Sequence, residues 1–391
     1  MNIDSIELFH VGLPLRQPLQ TPFGQQEKLE TVIVAVHGGG AVGWGEASPG
    51  NAPLAGAEWA AGTFSVLRDW LAPAVVGQGF SSGGELAKRL NLFRGNQFAK
   101  AALDMAWWDL SARLQNRPLH ELLGGVNVTQ PPSAVHDMPA QPGAAVPQVE
   151  VGPTFDRMAS IDEFAAQLGA AVEAGFARAK LKFRPGWDVP MVDFVRKEFP
   201  TLTVHIDCEG ALTLGHSEML YRLEDFMLAM IEQPLAADDL VGHAMLQESL
   251  RTPICLDESI TSLSQADMAL ELASCKYVNL KPGRVGGLTA AVAIHDLCHE
   301  HCTPCYVGAM PQSAVGGRIA FALATKENCT YPADFFPSDR VLAEDIAEPL
   351  LPAKDPADGR QRVRLSSAAG IGVEPQRDLL DKLCIAQEKI G

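Results

Sequence analysis

Between Lys180 and Lys281 five short apolar runs each end in a charged residue: Ala179-Lys180-Leu181-Lys182, Val204-His205-Ile206-Asp207, Met230-Ile231-Glu232, Ile254-Cys255-Leu256-Asp257 and Val278-Asn279-Leu280-Lys281. The runs recur roughly every 25 residues, room for one strand, one loop and one helix of a βα unit. Such runs alternating with longer amphipathic stretches imply parallel strands covered by crossover helices, and closing the series gives a barrel. The residue at the carboxyl end of each barrel strand points towards the mouth, so these charges converge.

In chain order the charges are two lysines, three carboxylates and a lysine. Any one of Asp207, Glu232 and Asp257 could cap a helix or pair with a base. Three at equal spacing repel one another unless a cation lies between them. All-oxygen ligation suits a hard ion, Mg²⁺ in particular. Glu209 and Glu258 lie close by as supporting acids or additional ligands. Strand alternation puts Lys180 and Lys182 on one face. Two such ammonium groups, partly desolvated, are expected to lower each other's pKa from about 10.4 towards the range of a general base. After Lys281 the turn Pro282-Gly283-Arg284-Val285-Gly286-Gly287 lacks both common phosphate-loop spacings. It reads as a tight βα connection that keeps Arg284 near the base, to tune it or to bind a substrate carboxylate.

Residues 1–130 read as a separate α+β unit, 131–147 as a Pro/Ala/Gln-rich connection and 148–350 as the barrel. In the first unit, strands are expected at Ile6 to Gly12 and Thr31 to His37, with Pro14, Pro18 and Pro22 breaking the stretch between them. Thr21 to Gln25 reads equally as a flap presenting Phe23 or as an ordinary strand connection, and Ser48 to Gly56 as a second loop over a site. Gly83 to Gln115 reads as helical, with Trp107 and Trp108 in the core. In the barrel Ser160 caps a helix that ends at Gly175. Further helices are expected at Pro190 to Glu198, His216 to Ala229, Asp238 to Leu250, Ser262 to Ala273, Leu288 to His301 and Ser313 to Lys326.

A net charge of −16 argues against nucleic acid or an anionic membrane surface as partner. The start Asn2-Ile3-Asp4-Ser5-Ile6-Glu7 does not resemble a signal peptide, and no apolar run approaches the ~20 residues of a membrane span. A soluble, cytoplasmic protein is expected. Of the eight cysteines, thinly spread along the chain, Cys255 and Cys275 read as reduced, packed side chains. His295 to Cys305 superficially resembles a zinc cluster, but it straddles a helix end and has no second knuckle.

Together, Lys180-Leu181-Lys182, the spaced acids, Ile231-Glu232-Gln233-Pro234-Leu235, Leu256-Asp257-Glu258-Ser259 and Lys281-Pro282-Gly283-Arg284-Val285-Gly286-Gly287-Leu288 resemble the enolase superfamily. More closely they resemble its muconate-lactonizing subgroup, in the o-succinylbenzoate synthase and N-acylamino acid racemase branch. The resemblance extends to Gly43-Trp44-Gly45-Glu46 and Lys100 to Gly125. It implies a modified (β/α)₇β barrel under an N-terminal α+β capping domain, with residues 351–391 packing back on the cap. It also implies Mg²⁺, with Mn²⁺ as a substitute, on Asp207, Glu232 and Asp257, and general acid/base lysines at Lys182 and Lys281. The inherited chemistry removes the proton α to a carboxylate while the metal holds the developing charge. A small carboxylate substrate and a symmetric homo-oligomer follow from the same likeness.

Three departures bear on the substrate. Cys208-Glu209 stands where the family has a residue and then asparagine. Gly308-Ala309-Met310-Pro311-Gln312-Ser313-Ala314 replaces a loop with an acid, so Gly308, Met310, Gln312 and Ser313 are candidate contacts to a distal substrate group. The capping loops lack the family's aromatic and acidic pattern. Dehydration to o-succinylbenzoate is favoured over N-acylamino acid racemisation, with muconate cycloisomerisation, dipeptide epimerisation and a silent carboxylate-binding barrel behind.

Overall fold

Three antiparallel strands open the chain: β1 (Ser5–Thr21), β2 (Gly24–Gly38) and β3 (Ala41–Ala47). The computed structural model describes residues 1–21, 24–54, 56–125 and 146–391. Phe23 and positions 131–145 of the connection lie outside the described residues. The prolines do not break β1 as expected. It stays paired with β2 as far as Pro14 opposite Lys28, slips register, and resumes at Leu19 opposite Gln26. The reason is position. The C-terminal strand pairs β1 only from Ile6 to Val11, and beyond it β1 meets only the isolated bridge Leu15–Leu342, so a missing N–H at Pro14 or Pro18 costs no ladder bond.

The helix Gln97–Leu114 lies across this sheet and buries Ala101, Ala102, Leu103, Met105, Ala106 and Leu110. Trp107 is buried edge-on to Trp108, whose indole donates to Thr289 Oγ1 at 2.9 Å in the barrel.

The barrel strands are β4 (Gln148–Gly152), β5 (Thr154–Phe155), β6 (Arg178–Lys182), β7 (Thr203–Asp207), β8 (Ile231–Glu232), β9 (Ile254–Leu256), β10 (Tyr277–Leu280), β11 (Cys305–Val307) and β12 (Ala333–Asp334). From β5 to β11 they form one parallel sheet in chain order. β4 and β5 are a single strand interrupted at Pro153, and β12 pairs parallel with β4, so the curled sheet returns to its first strand. The apolar residues that alternate with the strand-end charges face the covering helices: Ile206, Ile231, Ile254, Leu256, Val278 and Leu280 are all fully buried there.

Ser160 accepts the Glu163 N–H at 3.1 Å to open the helix Ile161–Ala174, which ends at Gly175. Helices Val189–Glu198, Leu240–Ser249, Leu263–Glu271, Leu288–Glu300 and Ala314–Leu323 cover the later strands. One expected helix, His216 to Ala229, is instead a short helix Ser217–Leu223 between two 3₁₀ turns. Met227 in the left-handed region stops it.

The segment 351–391 divides rather than returning to the cap as a whole. The hairpin of β13 (Pro352–Lys354) and β14 (Gln361–Arg364) extends β4, and only β15 (Cys384–Ile390) joins the capping sheet beside β1. Among the described residues no helix is long and apolar enough to cross a membrane.

Candidate active site

At the carboxyl ends of the barrel strands, Lys182 on β6 is in register with Asp207 on β7, and Asp207 with Glu232 on β8. Asp257 follows β9 and Lys281 follows β10. Across the sheet the order is lysine, aspartate, glutamate, aspartate, lysine. The three acids are buried: Asp207 and Asp257 are 1% exposed and Glu232 is fully covered.

Each acid is matched by cations. Lys182 Nζ lies 2.8 Å from Asp207 Oδ2 and 2.6 Å from Glu209 Oε1. Lys180 Nζ lies 2.9 Å from Asp207 and 2.8 Å from Glu232. Lys281 Nζ lies 2.6 Å from Asp257 Oδ2, and the Arg284 guanidinium holds the other oxygen. These pairs reverse the expected lysine titration. Burial opposes the charge on both Lys180 and Lys182, but the Asp207 carboxylate and its neighbours outweigh it, and both ammonium groups are held above their ordinary range. The repulsion between the two lysines acts in the expected direction and loses to the carboxylate between them. Glu232, though buried, is driven well below the usual carboxylate range by Lys180.

Lys180 does not share the mouth with Lys182. One pleat deeper, it joins a closed floor with Glu232, Asp334 at 3.3 Å and Tyr306 at 3.5 Å. Asp334, pushed down to about 2, is 2.6 Å from Arg178; burial opposes its charge, and Lys180 and Arg178 overcome that. Tyr306 donates its hydroxyl to Glu232 Oε2, and Asn279 Nδ2 donates to Glu232 Oε1 at 2.9 Å.

The remaining candidates are spread around the rim. Glu209 is exposed, in the left-handed region, and also pairs with Arg184 at 2.8 Å. Glu258 is pushed up to about 7 by burial and by the Asp257 charge beside it. Gly308 packs against Lys281 and Asn279. Met310 and Gln312 line a cleft between the two domains with Phe98 and Pro282. Ser313 is buried, and its hydroxyl is donated to Glu46 of the cap. The flap tip at Phe23 lies outside the described residues.

Residues 163–379 match the family described as enolase C-terminal domain-like, and residues 3–124 match the mandelate racemase / muconate lactonizing enzyme N-terminal domain. The chain belongs to the enolase superfamily. It is an enzyme of the mandelate racemase / muconate lactonizing group. It is 37% identical over 383 residues to an o-succinylbenzoate synthase of Geobacillus stearothermophilus, covering 98% of this chain and 96% of the relative. To an N-succinylamino acid racemase of an Amycolatopsis species it is 34% identical over the full length of both. An enolase-superfamily structure from Enterococcus faecalis superposes with a TM-score of 0.89 at 33% identity, covering all of both chains. The dipeptide epimerase of Cytophaga hutchinsonii, complexed with Mg and a dipeptide, superposes at 0.84 with 23% identity, again over all of both chains.

Five floor residues escaped the sequence reading in this superfamily member: His205, whose Nε2 lies 3.3 Å from Glu232 Oε2, Asn279, Tyr306, Asp334 and Arg178. A signal existed for the first two. Like Lys180, each lies two residues before a strand's terminal charge, where alternation returns the side chain to the interior one layer down. The zinc-like stretch does not converge. Both His295 ring nitrogens are engaged, with Asp296 at 2.7 Å and the Asn328 N–H at 3.0 Å, and Cys302 is exposed.

Proposed function

We propose that this enzyme abstracts the proton α to a substrate carboxylate, with Lys182 and Lys281 as the acid/base pair. Formation of o-succinylbenzoate by loss of water is the first reading, and racemisation of N-acylamino acids uses the same pair. The observation that carries the proposal is the order across the barrel, with a lysine on either flank of three buried acids.

The donor chemistry of Asp207, Glu232 and Asp257 fits a hard divalent ion, since all three are carboxylates. Among the described residues no three acidic, His or Cys side chains stand in ready ligand geometry. The physical reason is that their oxygens are engaged by Lys180, Lys182, Lys281 and Arg284. Mg²⁺ held by these oxygens supplies a Lewis acid for the substrate carboxylate.

The lysines do the proton work. An ammonium paired with a carboxylate is a donor, and the same lysine becomes an acceptor once that carboxylate is engaged elsewhere. A proton taken by one lysine and returned by the other inverts the α-carbon. Departure of a β-hydroxyl instead gives dehydration. Arg284, fixed on Asp257, keeps positive charge beside Lys281 and suits the racemising reading.

The test is proton NMR with Mg²⁺ on two substrates, an N-succinyl amino acid and the cyclohexadiene precursor of o-succinylbenzoate. Elimination of water supports the first reading, and exchange of the α-proton with racemisation supports the second. No change in either, with Mg²⁺ shown to bind, rejects both.

A further inference from the structure

Glu46, near the end of β3, is a buried cap-domain carboxylate with five donors within hydrogen-bond reach. Two are in its own domain: Ser48 Oγ and Thr31 Oγ1 each lie 2.9 Å from Oε1, the single Thr31 proton being shared with Ala47 O at 2.7 Å. Three come from the barrel. The Ser313 N–H donates to Oε1 at 2.9 Å, while the Ser313 hydroxyl and the Gly316 N–H, the latter at 2.8 Å, donate to Oε2. These barrel groups open the helix Ala314–Leu323, whose first N–H groups lack intrahelical acceptors and favour negative charge. Asp345 supports the same turn by accepting the Ala314 N–H at 3.1 Å.

The loop from Gly308 to Ser313 is therefore fixed at both ends. Gly308 is wedged against Lys281 and Asn279, and Ser313 is tied to Glu46. Between these anchors Met310 and Gln312 face the interdomain cleft with Ser48 and Phe98 of the cap. We propose that Glu46 is a positioning residue. It sets where Met310 and Gln312 stand in the interdomain cleft opposite Pro282 and Gly283, and so decides which distal substrate group is accepted.

The choice of substrates below rests on the acid/base reading given above, but the latch itself has an independent readout. Glu46→Gln keeps the size and the Oε1 acceptor while placing an NH₂ opposite the Gly316 N–H, a clash of two donors. Amide hydrogen exchange across 308–317 is expected to accelerate in this variant, with the helix Leu288–Glu300 unchanged. KM for an N-succinyl amino acid is expected to rise roughly ten- to hundredfold, the range for losing a hydrogen bond to a charged group. For the N-acetyl analogue KM changes less, and kcat changes little for both. Ser313→Ala, which removes one donor from the barrel side, gives the same direction with a smaller change. Unchanged protection of 308–317 in both variants overturns the latch. Faster exchange with an unaltered succinyl-to-acetyl ratio overturns the role in specificity. If the wild type turns over neither substrate, the racemising reading fails while the dehydrating one stands, and the latch is judged on exchange alone.

Discussion

Gly308 lies so close to Lys281 that a Cβ there would stand 2.7 Å from Lys281 Cε, and 2.3 Å from Asn279 Oδ1. Both neighbours are committed, Lys281 to Asp257 and Asn279 to Glu232, so neither has a free direction in which to yield. Gly308→Ala is therefore expected to push Lys281 out of line. A displacement on the ångström scale costs roughly 100-fold in rate. The check is kcat alongside the unfolding temperature, with kcat falling much further than stability would explain. An alanine variant with wild-type kcat would show that Lys281 has room.

Tyr306→Phe removes the hydroxyl that donates to Glu232 Oε2 and accepts from Asn279 Nδ2 at 3.0 Å. Glu232 keeps Lys180 on one oxygen but at the other loses the nearer of two groups, leaving His205 at 3.3 Å. By analogy with outer-sphere partners in other metal sites, Mg²⁺ affinity should drop by about 10-fold or more. Titration calorimetry of the two proteins measures this, and equal affinities would remove Glu232 orientation from the account.

Asp104 is a cap residue that accepts from the Thr289 N–H at 2.9 Å and from the Thr289 hydroxyl, and burial pushes it up to about 7. Its folded-state pKa exceeds its unfolded value, so the folded chain binds the extra proton between about pH 4 and pH 7. Stability from this group is full below that window, falls as pH rises through it, and stays lost above, by an amount on the order of a few kcal/mol. Asp109 and Asp345, each raised to about 6 by burial, act in the same direction. Asp104→Asn should lose less stability than the wild type between pH 5 and pH 8. Unfolding temperatures at both values decide it, and parallel losses would count against the assignment.

The barrel was legible because its strands are short, apolar and evenly spaced, and the row of Lys182, Asp207 and Glu232 follows from one charge per strand end. Two things were not. Proton affinities depend on which carboxylate faces which ammonium, and that is a matter of register between strands 25 or more residues apart. That is why the lysines came out raised and not lowered. The interdomain contacts of Glu46 and Asp104 also left no local trace. Glu46 meets Ser313 from 267 positions away, and a glutamate at the end of a strand looks like any surface acid until the second domain covers it. Pro14 and Pro18 misled for a related reason, since the cost of proline depends on whether another strand lies alongside.

The most direct measurement is α-proton exchange in D₂O with Mg²⁺, for each enantiomer of an N-succinyl amino acid, in wild type, Lys182→Ala and Lys281→Ala. Two lysines on opposite flanks of the acids predict exchange of both enantiomers by the wild type. Each variant should then fail on the enantiomer whose proton its missing lysine would take. A Lys281→Ala protein that exchanges both enantiomers at the wild-type rate would contradict the assignment of the pair.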